Sequence, residues 1–90
     1  MNHRDPRIDP QPGDVIINRL GYTVAVLARV EIGANFDQVR HFSPTSQHGG
    51  KPWIDADSIE VWRDDARAGS VAAVEGYDVH PDAFPALVDE

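Results

Sequence analysis

Cysteine is absent from this 90-residue chain, methionine occurs once, and only 8 basic side chains stand against 15 acidic ones. Without cysteine there can be no disulfide framework, no thiolate nucleophile and no thiolate metal site. Long apolar runs are missing too. None approaches the roughly 18 residues needed to cross a bilayer, and Met1-Asn2-His3-Arg4-Asp5-Pro6 has no apolar stretch behind its charges. Neither a membrane span nor a signal peptide is expected, and a cytoplasmic protein is. Leucine is scarce, with 3 against 16 Val plus Ile. This bias towards β-branched side chains suits a pleated surface.

The shortage of basic residues is local. Residues 1–12 balance in charge and residues 13–53 are nearly neutral, whereas residues 54–90 carry 2 positive and 10 negative side chains. A surface so acidic repels phosphate, so direct binding to DNA or RNA is not expected. Enough apolar side chain remains for one small core: Ile, Leu, Val and Phe make up 22 of the 90 residues, above the level at which charged chains stay disordered.

Along the chain, three prolines among residues 6–12 read as an extended arm with little to bury. Val15-Ile16-Ile17 reads as a short strand, and Asn18-Arg19-Leu20-Gly21 as a hairpin loop. The clearest signal is the alternation over residues 23–32. It places Val24, Val26, Ala28, Val30 and Ile32 on one face of a long strand, whose valines are expected to form the inner wall of the sheet. Residues 38–42 suggest a third strand, residues 43–52 a mobile surface loop, and residues 71–74 a further short strand.

Residues 54–68 admit two readings. As a helix, Asp57 would cap it, Glu60 would complete a capping box, and Ile59, Trp62 and Ala66 would share a face. The favoured reading is strand through Val61 or Trp62, then a short turn or helix over residues 63–68. The expected architecture is mainly β. It is a small curled antiparallel sheet, or an SH3-like barrel, of four or five strands with at most one short helix. The expected organisation is an arm over residues 1–12, one β domain over 13–76, and an acidic appendage over 77–90.

Catalytic motifs fail on inspection. Gly49-Gly50-Lys51-Pro52 lacks the upstream glycine and the following Ser or Thr of a phosphate loop. Asp55-Ala56-Asp57 lacks the glycine that turns a calcium loop. His80-Pro81-Asp82 matches the J-domain tripeptide, but its prolines and acidic surroundings contradict that setting. No Gly-x-Ser-x-Gly elbow occurs. His41 and His48 could converge across the base of the long loop with Asp55 as an oxygen ligand, which is the basis for an alternative small metal-binding protein or enzyme.

The opening Asp5-Pro6-Arg7-Ile8-Asp9-Pro10-Gln11-Pro12-Gly13-Asp14-Val15 resembles small phage and prophage proteins of proteobacteria that begin Asp-Pro-Arg-x-Asp-Pro-x-Pro-Gly-Asp-Val. Trp62-Arg63 followed by Ala66 is similar to their closing element. The likeness covers about residues 5–74, and residues 77–90 look like an addition. It carries no catalytic residue across. It implies a mobile-element setting inside a bacterial host, where small proteins act by binding host machinery.

The expectation is therefore a non-catalytic protein-binding module without a cofactor. It would be an acidic inhibitor that occludes a surface of a host or defence protein, such as a CRISPR or restriction component. Trp53, Tyr77 and Phe84 are its candidate apolar anchors, and Asp64, Asp65, Asp78 and Asp82 its candidate charges. A monomer or homodimer fits, and a structural homo-oligomer is a further alternative, since an open sheet leaves edges to pair.

Overall fold

The computed structural model describes residues 4–46, 48–80 and 83–87, with Asp78 described by its backbone alone. The described residues form six strands, β1 (Val15–Ile17), β2 (Thr23–Ile32), β3 (Phe36–Ser43), β4 (Trp53–Ser58), β5 (Ser70–Val74) and the two-residue β6 (Tyr77–Asp78), and one helix, α1 (Ile59–Ala66), between β4 and β5. The strands form a single sheet in the order β4-β3-β2-β1-β5-β6. Every pairing is antiparallel. The mainly β expectation holds in its open form: β4 and β6 end the sheet without meeting, so no barrel closes.

The β1–β2 connection is tied by one side chain. The Asn18 carboxamide oxygen accepts the backbone N–H groups of Leu20 and Tyr22, both at 3.0 Å, as turn asparagines commonly do. β2 runs over Thr23–Ile32 as its alternation implies, but a bulge between Val26 and Ala28 resets the faces. Before the bulge Val24 and Val26 are buried; after it, Arg29 lies opposite buried Val39, while Val30 and Ile32 turn outward. An extra residue in one strand of a pair exchanges inward and outward positions. The uniform inner wall of valines is thereby corrected: Arg29 takes the inner position where the sequence pattern placed Val30.

Residues 54–68 divide at Ser58. Trp53–Ser58 pair with β3, and α1 begins one residue later, with Ser58 Oγ accepting the Val61 N–H at 3.3 Å. Serine is a strong N-cap because its hydroxyl satisfies a donor that the first turn leaves free. The favoured strand through Val61 or Trp62 is corrected, since the strand stops four residues before Trp62. The cap is Ser58 rather than Asp57, which is held in β4. The helical face of Ile59, Trp62 and Ala66 is the buried one. It packs on Ile16, Val24, Val26 and Val39 to make the core. Gly69 follows the helix where chains crowd: a Cβ there would stand 2.2 Å from the Ile17 carbonyl oxygen.

The proline-rich opening differs most from its expected form. Residues 5–9 make a turn, with Ile8 and Asp9 N–H groups donating to the Asp5 carbonyl. Pro6, Arg7 and Pro10 are fully buried. Trp62 Nε1 donates to the Pro6 carbonyl (2.9 Å) and Arg63 Nε to that of Ile8 (2.7 Å). The segment is therefore a plug packed against α1. Its charges are paired, partly with one another and partly with groups distant in sequence. Arg7 binds Asp5 and the carbonyls of Gly69 and Pro85. Arg29 grips Asp37 through two bonds of 2.6 and 2.7 Å and also reaches Asp9 at 2.8 Å. The wholly buried Asp14 carboxylate accepts from Arg4, from Gln11 N (2.8 Å) and from Glu75 N (3.0 Å). Burial of ions is tolerable only with such complete pairing.

A candidate partner-binding edge and its cleft

β4 is the end strand of the sheet, and its sequence sorts its side chains by face. Trp53, Asp55 and Asp57 alternate with Ile54, Ala56 and Ser58. Directly opposite residues of paired strands share a face. Asp55 and Asp57 accordingly lie on the same side as His41 and Val39, and Ile54 lies with Phe42. The strand carries little cover: Trp53 is 42% exposed and Ile54 62%. Within the strand, Ala56 N–H donates to Asp55 Oδ1 at 2.8 Å. That bond places this backbone donor on the side of β4 away from β3.

Beside β4 lies an open cleft of about 200 Å³. The β1–β2 turn contributes Asn18 and Tyr22, β3 contributes His41 and Ser43, β4 contributes Trp53, Asp55 and Asp57, and α1 contributes Asp65. The loop after β3 is shaped by Ser46, whose hydroxyl donates to the Lys51 carbonyl (2.7 Å) and accepts the His48 N–H (3.0 Å). Gly49 and Gly50 both adopt positive φ, which lets this turn close tightly. The result stacks the His48 ring on the Trp53 indole, with centroids 3.9 Å apart. His41 Nε2 sits 2.9 Å from Asp57 Oδ2. Asp55 is held below the usual carboxylate range, first by the Ala56 N–H, then by hydrogen bonding from Trp53 and the nearby His41 and His48. Three carboxylates and an aromatic platform thus surround a shallow space able to receive a cation.

His41, His48 and Asp55, the residues of the metal alternative, do line this cleft together. His41 is engaged with Asp57 and His48 with Trp53, and among the described residues no three His, Asp or Glu side chains stand close enough together to hold a metal ion. Of the expected partner-binding residues, Trp53 and Asp65 meet at the cleft, and Asp64 is exposed next to Asp65 on α1. Tyr77 is exposed on β6, at the other end of the strand order, and Asp78 lies in β6 opposite Ala73. Phe84 is half-buried in a segment whose Pro85 carbonyl is held by Arg7. Asp82 lies outside the described residues. Of the seven, Trp53 and Asp65 are the two that line the cleft together.

Sequence reasoning missed Ile54 and Asp57 as site residues. The signal was present in the alternation Trp-Ile-Asp-Ala-Asp-Ser, which places large and acidic side chains on one face and apolar or small ones on the other. No family model, curated protein or solved structure matches this chain. Among the described residues no helix is long and apolar enough to cross a membrane.

Proposed function

We propose that this chain is a non-catalytic binding module that occupies a surface of another protein. The observation that carries the reading is the β4 edge: an end strand with exposed Trp53 and Ile54 beside a cleft ringed by Asp55, Asp57 and Asp65. Edge strands present unpaired backbone groups, and folded proteins usually blunt them with lysine, proline or a cover. Between Trp53 and Ser58 there is neither lysine nor proline, and the charges present, Asp55 and Asp57, repel an acidic strand but not a basic one. The acidic cleft selects a basic partner surface and steers its approach. The likeness of the opening segment to phage proteins supports a host or defence protein as that partner, with the acidic side chains taking the place of a nucleic-acid ligand.

Capture from bacterial lysate tests this. A specific partner is expected on the wild-type chain at low salt and less of it at high salt, since exposed charge pairs are screened. Trp53→Ala combined with Asp65→Lys is expected to lose it. Absence of any specific partner at both salt levels removes the basis of the reading.

A second reading, a small metal-binding protein or enzyme, is favoured by one observation, the common cleft of His41, His48 and Asp55. Metal analysis of untagged protein checks it. Stoichiometric metal and a chelator-sensitive melting temperature would support this reading over the first.

A further inference from the structure

We infer that the β4 edge is a strand-addition site whose occupant is an extended segment of a partner protein alternating Lys or Arg with apolar residues. This rests on the binding-module reading and specifies its chemistry.

The backbone supplies the first argument. Ala56 N–H points to the free side of β4, and N–H and C=O of one strand residue share a side, as do those of residues two apart. Ile54 and Ala56 therefore offer two donors and two acceptors to a strand laid alongside. The side chains supply the second. A strand added here sets its residues opposite those of β4 on each face. On the cleft face they meet Trp53, Asp55 and Asp57, a row that rewards Lys or Arg by ion pairing and by contact with the indole. On the other face they meet Ile54 and Ala56, next to Phe42 and Arg40 of β3, a surface that rewards apolar residues.

The same row argues against a second copy of this chain as occupant. A symmetric antiparallel pairing of β4 with itself centred on Asp55 sets Asp55 against Asp55; centred on Ala56, it sets Asp55 against Asp57; centred on Ile54, it sets Pro52, which has no N–H to donate, against Ala56. Like charges directly opposite one another destabilise a strand pair. Asp55 adds a gate. Its carboxylate holds the Ala56 N–H that an incoming strand must bind. A cationic side chain arriving opposite Asp55 draws that carboxylate away and frees the donor, whereas a neutral strand offers nothing in exchange.

The test uses the full chain and three synthetic peptides: alternating Lys-Val, a block peptide of the same composition, and the alternating peptide N-methylated at every second residue to remove its pairing N–H groups. Binding is read from Trp fluorescence and from amide-exchange protection in β4. The alternating peptide is expected to bind at least about tenfold more tightly than either control, since each control loses one of the two complementarities. Ala56→Pro, which removes the outward donor, is expected to abolish binding while circular dichroism stays unchanged. Equal binding of all three peptides overturns strand addition in favour of plain electrostatic docking and leaves the binding-module reading standing. No binding by any peptide also overturns it, and the lysate capture then judges the broader reading separately.

Discussion

The N-terminal plug and the β4 edge are both rich in charge, and the chain treats them in opposite ways. In and around the plug, Arg4, Arg7 and Asp14, with Arg29 of β2 and Asp37 of β3 beside them, are locked in multiple hydrogen bonds, and Arg7 and Asp14 are wholly shielded from water. Along β4 and the cleft, the carboxylates of Asp55 and Asp65 face solvent, and Asp55 is held by its strand neighbours Ala56 and Trp53 with His41 and His48 nearby. Charge in the first region closes the fold, and charge in the second is available to a partner. The difference follows from solvent access. A buried ion must be paired on every side, whereas an exposed one contributes little to stability and can be exchanged.

The comparison can be broken most severely at Asp14. Asp14→Ala leaves the N–H groups of Gln11 and Glu75 without their acceptor and takes from Arg4 its buried carboxylate, leaving it the Asp9 carbonyl and Glu75, and a loss of about 3 kcal/mol is expected in urea unfolding, as for other broken buried pairs. Next comes Gly69→Ala, whose Cβ would clash with the Ile17 carbonyl; overpacking of this kind costs about 1–3 kcal/mol, read from the same unfolding midpoints. Trp62→Phe keeps most of the buried ring but leaves the Pro6 carbonyl unpaired. It should lower stability by about 1–2 kcal/mol, and anchoring of the plug can be followed by proteolysis near residue 8. At the other extreme, Asp65→Asn on the cleft rim is expected to shift stability by less than about 0.5 kcal/mol, as for most surface changes, while weakening capture of a basic partner.

Acid sharpens the same contrast. Hydrogen bonds from the Arg29 guanidinium hold Asp37 below the usual carboxylate range. A carboxyl depressed in the folded state contributes stability that is complete above its unfolded pKa of about 3.9 and is lost as pH falls through the lower folded value. Melting temperatures recorded from pH 6 down to pH 2 should therefore drop below about pH 4, and Asp37→Asn should flatten that drop. An Asp37→Asn profile as steep as the wild type would assign the acid sensitivity to other carboxylates.

The long strand β2 was legible because alternation over ten residues is a strong local pattern, and its bounds agree with the structure. The bulge at its centre was not, because Leu27 carries no mark that distinguishes an extra residue from a ladder one. The helical face of Ile59, Trp62 and Ala66 was visible, but not the switch at Ser58, where strand and helix patterns abut without an intervening turn. Of the candidate anchors and charges read from the sequence, Trp53 and Asp65 line one cleft, and Tyr77 stands in the strand at the other end of the strand order. Proximity across a sheet is set by strand order, which no local pattern encodes.

From the sequence alone came the β-rich class, the single small core, the acidic character of residues 54–90 and the main strand. These depend on composition and on side-chain period, both local properties. The tertiary structure alone decided that the proline-rich opening is a buried plug, that the sheet stays open, and that β4 stands at its edge with the cleft beside it. The physical reason is that polarity predicts exposure only for a residue considered by itself. Arg7 and Asp14 are buried because partners distant in sequence complete their hydrogen bonds, and that is settled only when the chain has folded.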